Sequence, residues 1–148
     1  MAMIHLATEN HKESDIVYLL ERFIVESVFK NPTVNKDNVG RLLENPNSLV
    51  IVAYQNETPI GLAIATHWVH DLFDIAFVTD QMLFVVPEAR GLLIGSMFIK
   101  KIEDWARQKG VCDLYMGQSS GIGDYQRMAS FYQKHGYKVT GVNCKKDL

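Results

Sequence analysis

Arg90-Gly91-Leu92-Leu93-Ile94-Gly95-Ser96 stands where an apolar run, Gln81 to Val86, gives way to a helical pattern. A helix starting there offers N–H groups without intrahelical partners, and its dipole favours an anion at that end. Glycines remove Cβ atoms, so an extended diphosphate can lie against the backbone, and Arg90 adds a planar fork for phosphate oxygens. The segment therefore suits a phosphorylated ligand. It lacks the Gly-Lys-Ser/Thr ending of a P-loop, and its glycines are not spaced as in a dinucleotide fingerprint. Elsewhere His67, His70, Asp71 and Asp74 look superficially like metal ligands. Positions three apart on a strand face opposite ways, so no metal site is expected there. Those acids, with Asp80, could instead attract a cationic amine.

The elements that must carry this segment follow from periodicity. Ile4 and Leu6 suggest a short strand, and Ile16, Leu19, Leu20, Phe23, Ile24 and Val28 recur at helical spacing up to Asn31-Pro32. A shorter helix is predicted around Val39, Leu42 and Leu43. Leu49 to Tyr54 and Ile60 to Val69 read as a hairpin about Asn56-Glu57-Thr58-Pro59, and Ile75 to Val86 as a third long strand. The helix after Arg90 buries Ile94, Phe98, Ile102, Trp105 and Ala106 and stops at Gly110. Then come a strand from Val111 to Met116, a loop from Gly117 to Gly123, a helix from Tyr125 to Lys134 and a closing strand from Tyr137 to Val142. The order β-α-α-β-β-β-α-β-α-β predicts one α+β domain over residues 1–148, built on a mixed, mostly antiparallel sheet.

Bulk properties narrow the partners. A net charge of −2 gives no basic footprint for nucleic acid, and no apolar run is long enough to span a bilayer. The N-terminus lacks a signal-peptide pattern, so a cytoplasmic protein is expected. Cys112 lies in an apolar run and is read as a small buried hydrophobe; a disulfide to Cys144 is not needed in a domain of this size.

The segment resembles the GNAT superfamily of N-acetyltransferases, whose signature is Arg/Gln-x-x-Gly-x-Gly/Ala at a helix start after an apolar strand. Arg90, Leu93 and Gly95 occupy its places, with Val-Val-Pro-Glu-Ala ahead. A second signature, an aromatic pair near the end of the last helix and then Gly and an aromatic, is matched by Phe131-Tyr132-Gln133-Lys134-His135-Gly136-Tyr137. The resemblance implies a twisted sheet with helices on both faces and a splayed central strand pair. It implies acetyl-CoA as co-substrate, its diphosphate on the backbone of Arg90, Gly91, Leu92, Leu93, Ile94, Gly95 and Ser96. The pantetheine arm would pair with the edge Leu83, Phe84 and Val85.

Tyr132 matches the family tyrosine that protonates the departing thiolate; its other reading is a core aromatic with a surface hydroxyl. Asp80 is the candidate base, acting through water as relatives' acids do, or else a hydrogen-bonded sheet residue. Glu26 could face the acceptor site, Glu88 is a poorer base candidate, and His135 is expected at the surface. Leu93 replaces a usual glycine, and Asp124-Tyr125-Gln126 stands where an asparagine usually opens the last helix. The expected activity is acetyl transfer to a primary amine of a small molecule or a protein, and a homodimer would be in keeping with the family. The alternative is a degenerate module that binds CoA or a protein partner.

Overall fold

The computed structural model describes residues 3–117 and 120–148. Strand β1 (Ile4–Ala7) leads into helices α1 (Glu13–Glu26) and α2 (Lys36–Glu44). Three long strands follow, β2 (Ser48–Gln55), β3 (Thr58–Val69) and β4 (Ala76–Val85). A 3₁₀ turn over Pro87–Ala89 then delivers the chain into α3 (Ile94–Gln108), β5 (Leu114–Tyr115) and α4 (Tyr125–Lys134). The strands lie in sequence order, β1 to β4 antiparallel and β5 parallel to β4.

The helices cover both faces. Phe84, opposite Leu62 across the β3–β4 ladder, meets Phe23 of α1 edge-on with ring centroids 5.6 Å apart. Gly61, one residue before Leu62, faces the other way, and a Cβ there would lie 3.0 Å from the Phe98 ring of α3. Fully buried Ile16 and Leu19 fill one layer, and Ile94, Phe98 and Ile102 the other. The third long strand, the hairpin and the last helix form where the periodicity places them.

Four expectations are corrected. Helix α1 stops at Glu26 rather than continuing through Val28, because Ser27 turns extended and its hydroxyl donates to the Ile24 carbonyl at 3.0 Å. Strand β5 is two residues long, not six, so Cys112 lies outside it and is exposed. The closing strand from Tyr137 to Val142 does not form. A strand needs a partner edge, and β5 offers too short a one; Val139 and Val142 stay 53% and 79% exposed. His135 is half-buried rather than superficial, for a reason given below. Of the loop expected from Gly117 to Gly123, Gln118 and Ser119 lie outside the described residues.

Candidate active site

Strand β4 carries one wall of the site. Asp80 pairs with Ala65 and Met82 with Ile64, which leaves Gln81 as an extra residue in a bulge. Beyond Thr79, the last β4 residue paired to β5, the two strands part. The Gly117 N–H then reaches only the Asp80 side chain, donating to Oδ1 at 3.1 Å. Val86 N–H donates to Ile60 O at 2.9 Å, so by alternation the backbone groups of Leu83 and Val85 point to the open edge. The splay inferred by resemblance is thus present in the pairing.

A cleft of about 840 Å³ fills this gap. It brings together Asp80, Leu83, Phe84, Val85, Arg90, Gly91, Leu93, Ile94, Gly95, Ser96 and Tyr132. Of the expected site residues only Leu92 does not line it; that side chain is exposed.

The segment from Arg90 to Ser96, expected to cradle a phosphate, has a distinctive backbone. Gly91 has φ +92°, and among the described residues nothing beyond its chain neighbours lies within 4 Å of where its Cβ would be. Leu93, the N-cap of α3, sits in the left-handed region at φ 61°, ψ 16° and is 73% exposed. A side chain there costs about 1–2 kcal/mol, which explains why glycine suits this place. Gly95 is small for a different reason: a Cβ would lie 3.1 Å from Cζ of Phe131, so α3 and α4 pack through it.

Arg90 spends its donors within the chain. Its Nε donates to Val85 O and its Nη2 to Glu26 Oε2, each at 3.0 Å, and the guanidinium lies over the Phe84 ring. A second tie joins the same elements: Arg22 donates to both Glu88 oxygens at 2.9 and 2.8 Å. That pairing holds the Glu88 carboxyl down at about 2. Glu26 and Glu88, weighed as acceptor-site or basic groups, are therefore bridges from α1 to the cradle.

At the other end Tyr132 is 7% exposed, and its hydroxyl is buried with no hydrogen-bond partner among the described residues. Burial first, then the Asp80 and Tyr137 charges, push its pKa well above that of an ordinary phenol. Asp80 is pushed up to about 6 by burial, against the opposing Gly117 hydrogen bond. A hydroxyl that keeps its proton and a carboxylate poised near neutrality share one cleft, an arrangement suited to moving a proton in and out.

Sequence reasoning missed several neighbours. Arg127 lines the cleft one helical turn before Phe131, a spacing that could have flagged it. His135, four residues after Phe131, stacks edge-on against that ring at 4.9 Å and bonds Ser96 Oγ through Nε2 at 3.0 Å. Phe29, Tyr115 and Ile122 also line the cleft, and nothing in their local sequence marks them. Among the described residues no cluster suits a metal ion, and no helix is long and apolar enough to cross a membrane.

The model of the acetyltransferase (GNAT) domain matches residues 46–139. Comparison with curated protein sequences gives no match. Among solved structures, aminoglycoside 6'-N-acetyltransferase AAC(6')-Ih from Acinetobacter baumannii is similar, at 18% identity and TM-score 0.73, with 99% of each chain covered. The ribosomal-protein-alanine N-acetyltransferase of Brucella melitensis biovar Abortus 2308 matches at 12% identity and TM-score 0.74, over 98% of this chain and 99% of that one. AAC(6')-Iy, solved with a CoA-containing bisubstrate analog, matches at 14% identity and TM-score 0.77, over 99% and 98%. At such identities the likeness is one of fold, and it extends over the whole domain. With the family match spanning both the cradle and the Phe131-Tyr132 pair, the chain belongs to the GNAT acetyltransferases and is an acyltransferase.

Proposed function

We propose that the protein transfers an acetyl group from acetyl-CoA to a primary amine. The observation that carries this reading is the buried, unpartnered hydroxyl of Tyr132, in one cleft with Asp80 and with the start of α3. The residues fit a CoA-type ligand. The Gly91 backbone is open, Leu83 and the N–H of Val85 offer strand-type groups to the gap, and the Tyr132 hydroxyl has a proton to give. Bound there, acetyl-CoA supplies the acetyl group as a thioester.

The first N–H groups of α3 and the Gly91–Ser96 backbone hold the diphosphate end. The edge of β4 at Leu83 and Val85 would hold the arm alongside Asp80, and alignment of the two reactants would supply much of the rate. Asp80 accepts the amine's proton, directly or through water, and Tyr132 Oη holds the proton destined for sulfur. Acetyl-CoA and CoA, but not ATP, should raise the melting temperature. Tyr132→Phe should lower kcat by roughly 100-fold or more while leaving acetyl-CoA affinity unchanged. Because the lost hydroxyl has no partner, stability should hold or rise. A variant that retained full kcat would remove Tyr132 from the mechanism.

A further inference from the structure

Two contacts cross the seam between α3 and α4 side by side. Phe131 packs against Gly95, and one helical turn on, His135 bonds the next residue of α3, Ser96, with Nε2 and Oγ 3.0 Å apart. The Phe131 ring stands edge-on to the imidazole at 4.9 Å, and the His135 N–H donates to Tyr132 O at 2.9 Å. Ring and backbone of His135 are both held, at the C-cap of α4. Among the described residues only Ser96 of this pair lines the cleft, from the first turn of α3. His135 stands behind it, lining a second cavity of about 1030 Å³ bordered by α3, β5 and α4. The Ser96 backbone already belongs to the cradle; its hydroxyl adds a group whose direction the helix does not set.

That direction depends on the imidazole. A serine hydroxyl has one proton and two lone pairs, and a ring nitrogen is either a donor or an acceptor. If Nε2 is bare, Ser96 donates its proton to the ring and turns lone pairs to the cleft, where they repel an anionic oxygen. If Nε2 carries a hydrogen, it donates to Ser96 Oγ, and the hydroxyl proton is free to point into the cleft. A diphosphate oxygen accepts and cannot donate, so it fits the second arrangement alone. The free N–H groups at the start of α3 favour an anion beside the same hydroxyl.

Resting on the acetyltransferase reading above, we propose that His135 is a positioning residue for the cofactor, whose Nε2–H donates to Ser96 Oγ and aims the Ser96 hydroxyl at the diphosphate of CoA. The bond couples the two sequence signatures, because the turn that carries Tyr132 then sets a donor in the cradle.

The test uses the full chain. Calorimetry gives the Kd of acetyl-CoA and of CoA for the parent, Ser96→Ala, His135→Ala, His135→Gln and the variant carrying both alanines. Each single alanine variant should bind roughly tenfold more weakly, the scale of a hydrogen bond to a charged group. The double variant should lose little more than either alone, since the imidazole acts through the hydroxyl. His135→Gln, whose amide N–H can stand near the place of Nε2–H, should regain most of the affinity. Heteronuclear NMR of histidine-labelled parent with CoA bound should find the hydrogen on Nε2 of His135, its signal assigned by its absence in His135→Gln. A bond that only holds the helices together would lower the melting temperature and leave the Kd values unchanged, which would overturn the proposal. Additive losses in the double variant would overturn it too, as would a bare Nε2 in the complex. If His135→Ala does not fold, His135→Gln, Ser96→Ala and the parent's NMR signal decide between the same outcomes. A parent that binds neither acetyl-CoA nor CoA would instead strike down the acetyltransferase reading, and this proposal with it.

Discussion

Val28 occupies the space that a side chain at Gly121 would need. A Cβ at Gly121, whose φ is +72°, would overlap Val28 Cγ1, and the Val28 N–H donates to Ser120 O at 2.8 Å. The end of α1 is thereby tied to the loop before α4, and their neighbours Phe29 and Ile122 both line the cleft. Gly121→Ala meets strained backbone and steric overlap together. It should cost about 1–3 kcal/mol in urea unfolding and raise the acceptor KM more than that for acetyl-CoA. Equal stability of variant and parent would show that the tie is not formed in solution.

Leu93→Gly tests the left-handed cap. Removing the side chain relieves about 1–2 kcal/mol of backbone strain. Glycine's greater freedom in the unfolded chain takes back about 0.4–1 kcal/mol. The net should be a small gain in stability, with acetyl-CoA bound equally or more tightly because the cradle is also less crowded. Calorimetry showing a large loss of affinity would mean that the Leu93 side chain itself contacts the cofactor.

How much of this was legible beforehand depended on the range of the interactions. The cradle, the Phe131-Tyr132 pair and the helix over Tyr125–Lys134 are written in contiguous residues, through caps, glycines and period. Gly95 and Phe131 each carried a signal, but that one is small so the other can approach appears only in three dimensions. The closing strand failed because alternation describes what a segment can do and not whether an edge awaits it. Ser96 with His135, and Glu26 with Arg90, are side-chain meetings across long sequence separations, which no local pattern encodes.

Glu26→Gln probes one of those meetings. Neutralising the partner frees the Arg90 guanidinium for an anion at the cradle. The pair is partly exposed, with side chains 43% and 26% accessible, so its loss should cost no more than about 1 kcal/mol of stability. Acetyl-CoA affinity should rise about twofold to fivefold, more at low salt than at high, as expected when a competing charge is removed. Weaker binding in calorimetry would show that Glu26 instead holds Arg90 in its working position.

Asp80 links activity and stability to pH with opposite signs. Its folded pKa of about 6 lies above the ordinary value of 3.8, so the fold favours the protonated carboxyl. Stability from this group is therefore full below about pH 4 and is lost as pH rises through about 6, a swing of roughly 2–3 kcal/mol. The role of base proposed for Asp80 requires the ionised form, and on that proposal kcat/KM should rise across the same window and level off above it. Asp80→Asn removes both effects. Relative to the parent it should be more stable at pH 8 than at pH 4, while losing most activity and the rise in rate near pH 6. Urea melts at the two pH values, beside pH–rate profiles of both proteins, decide it. An Asp80→Asn profile that still climbed through pH 6 would assign the base to another group.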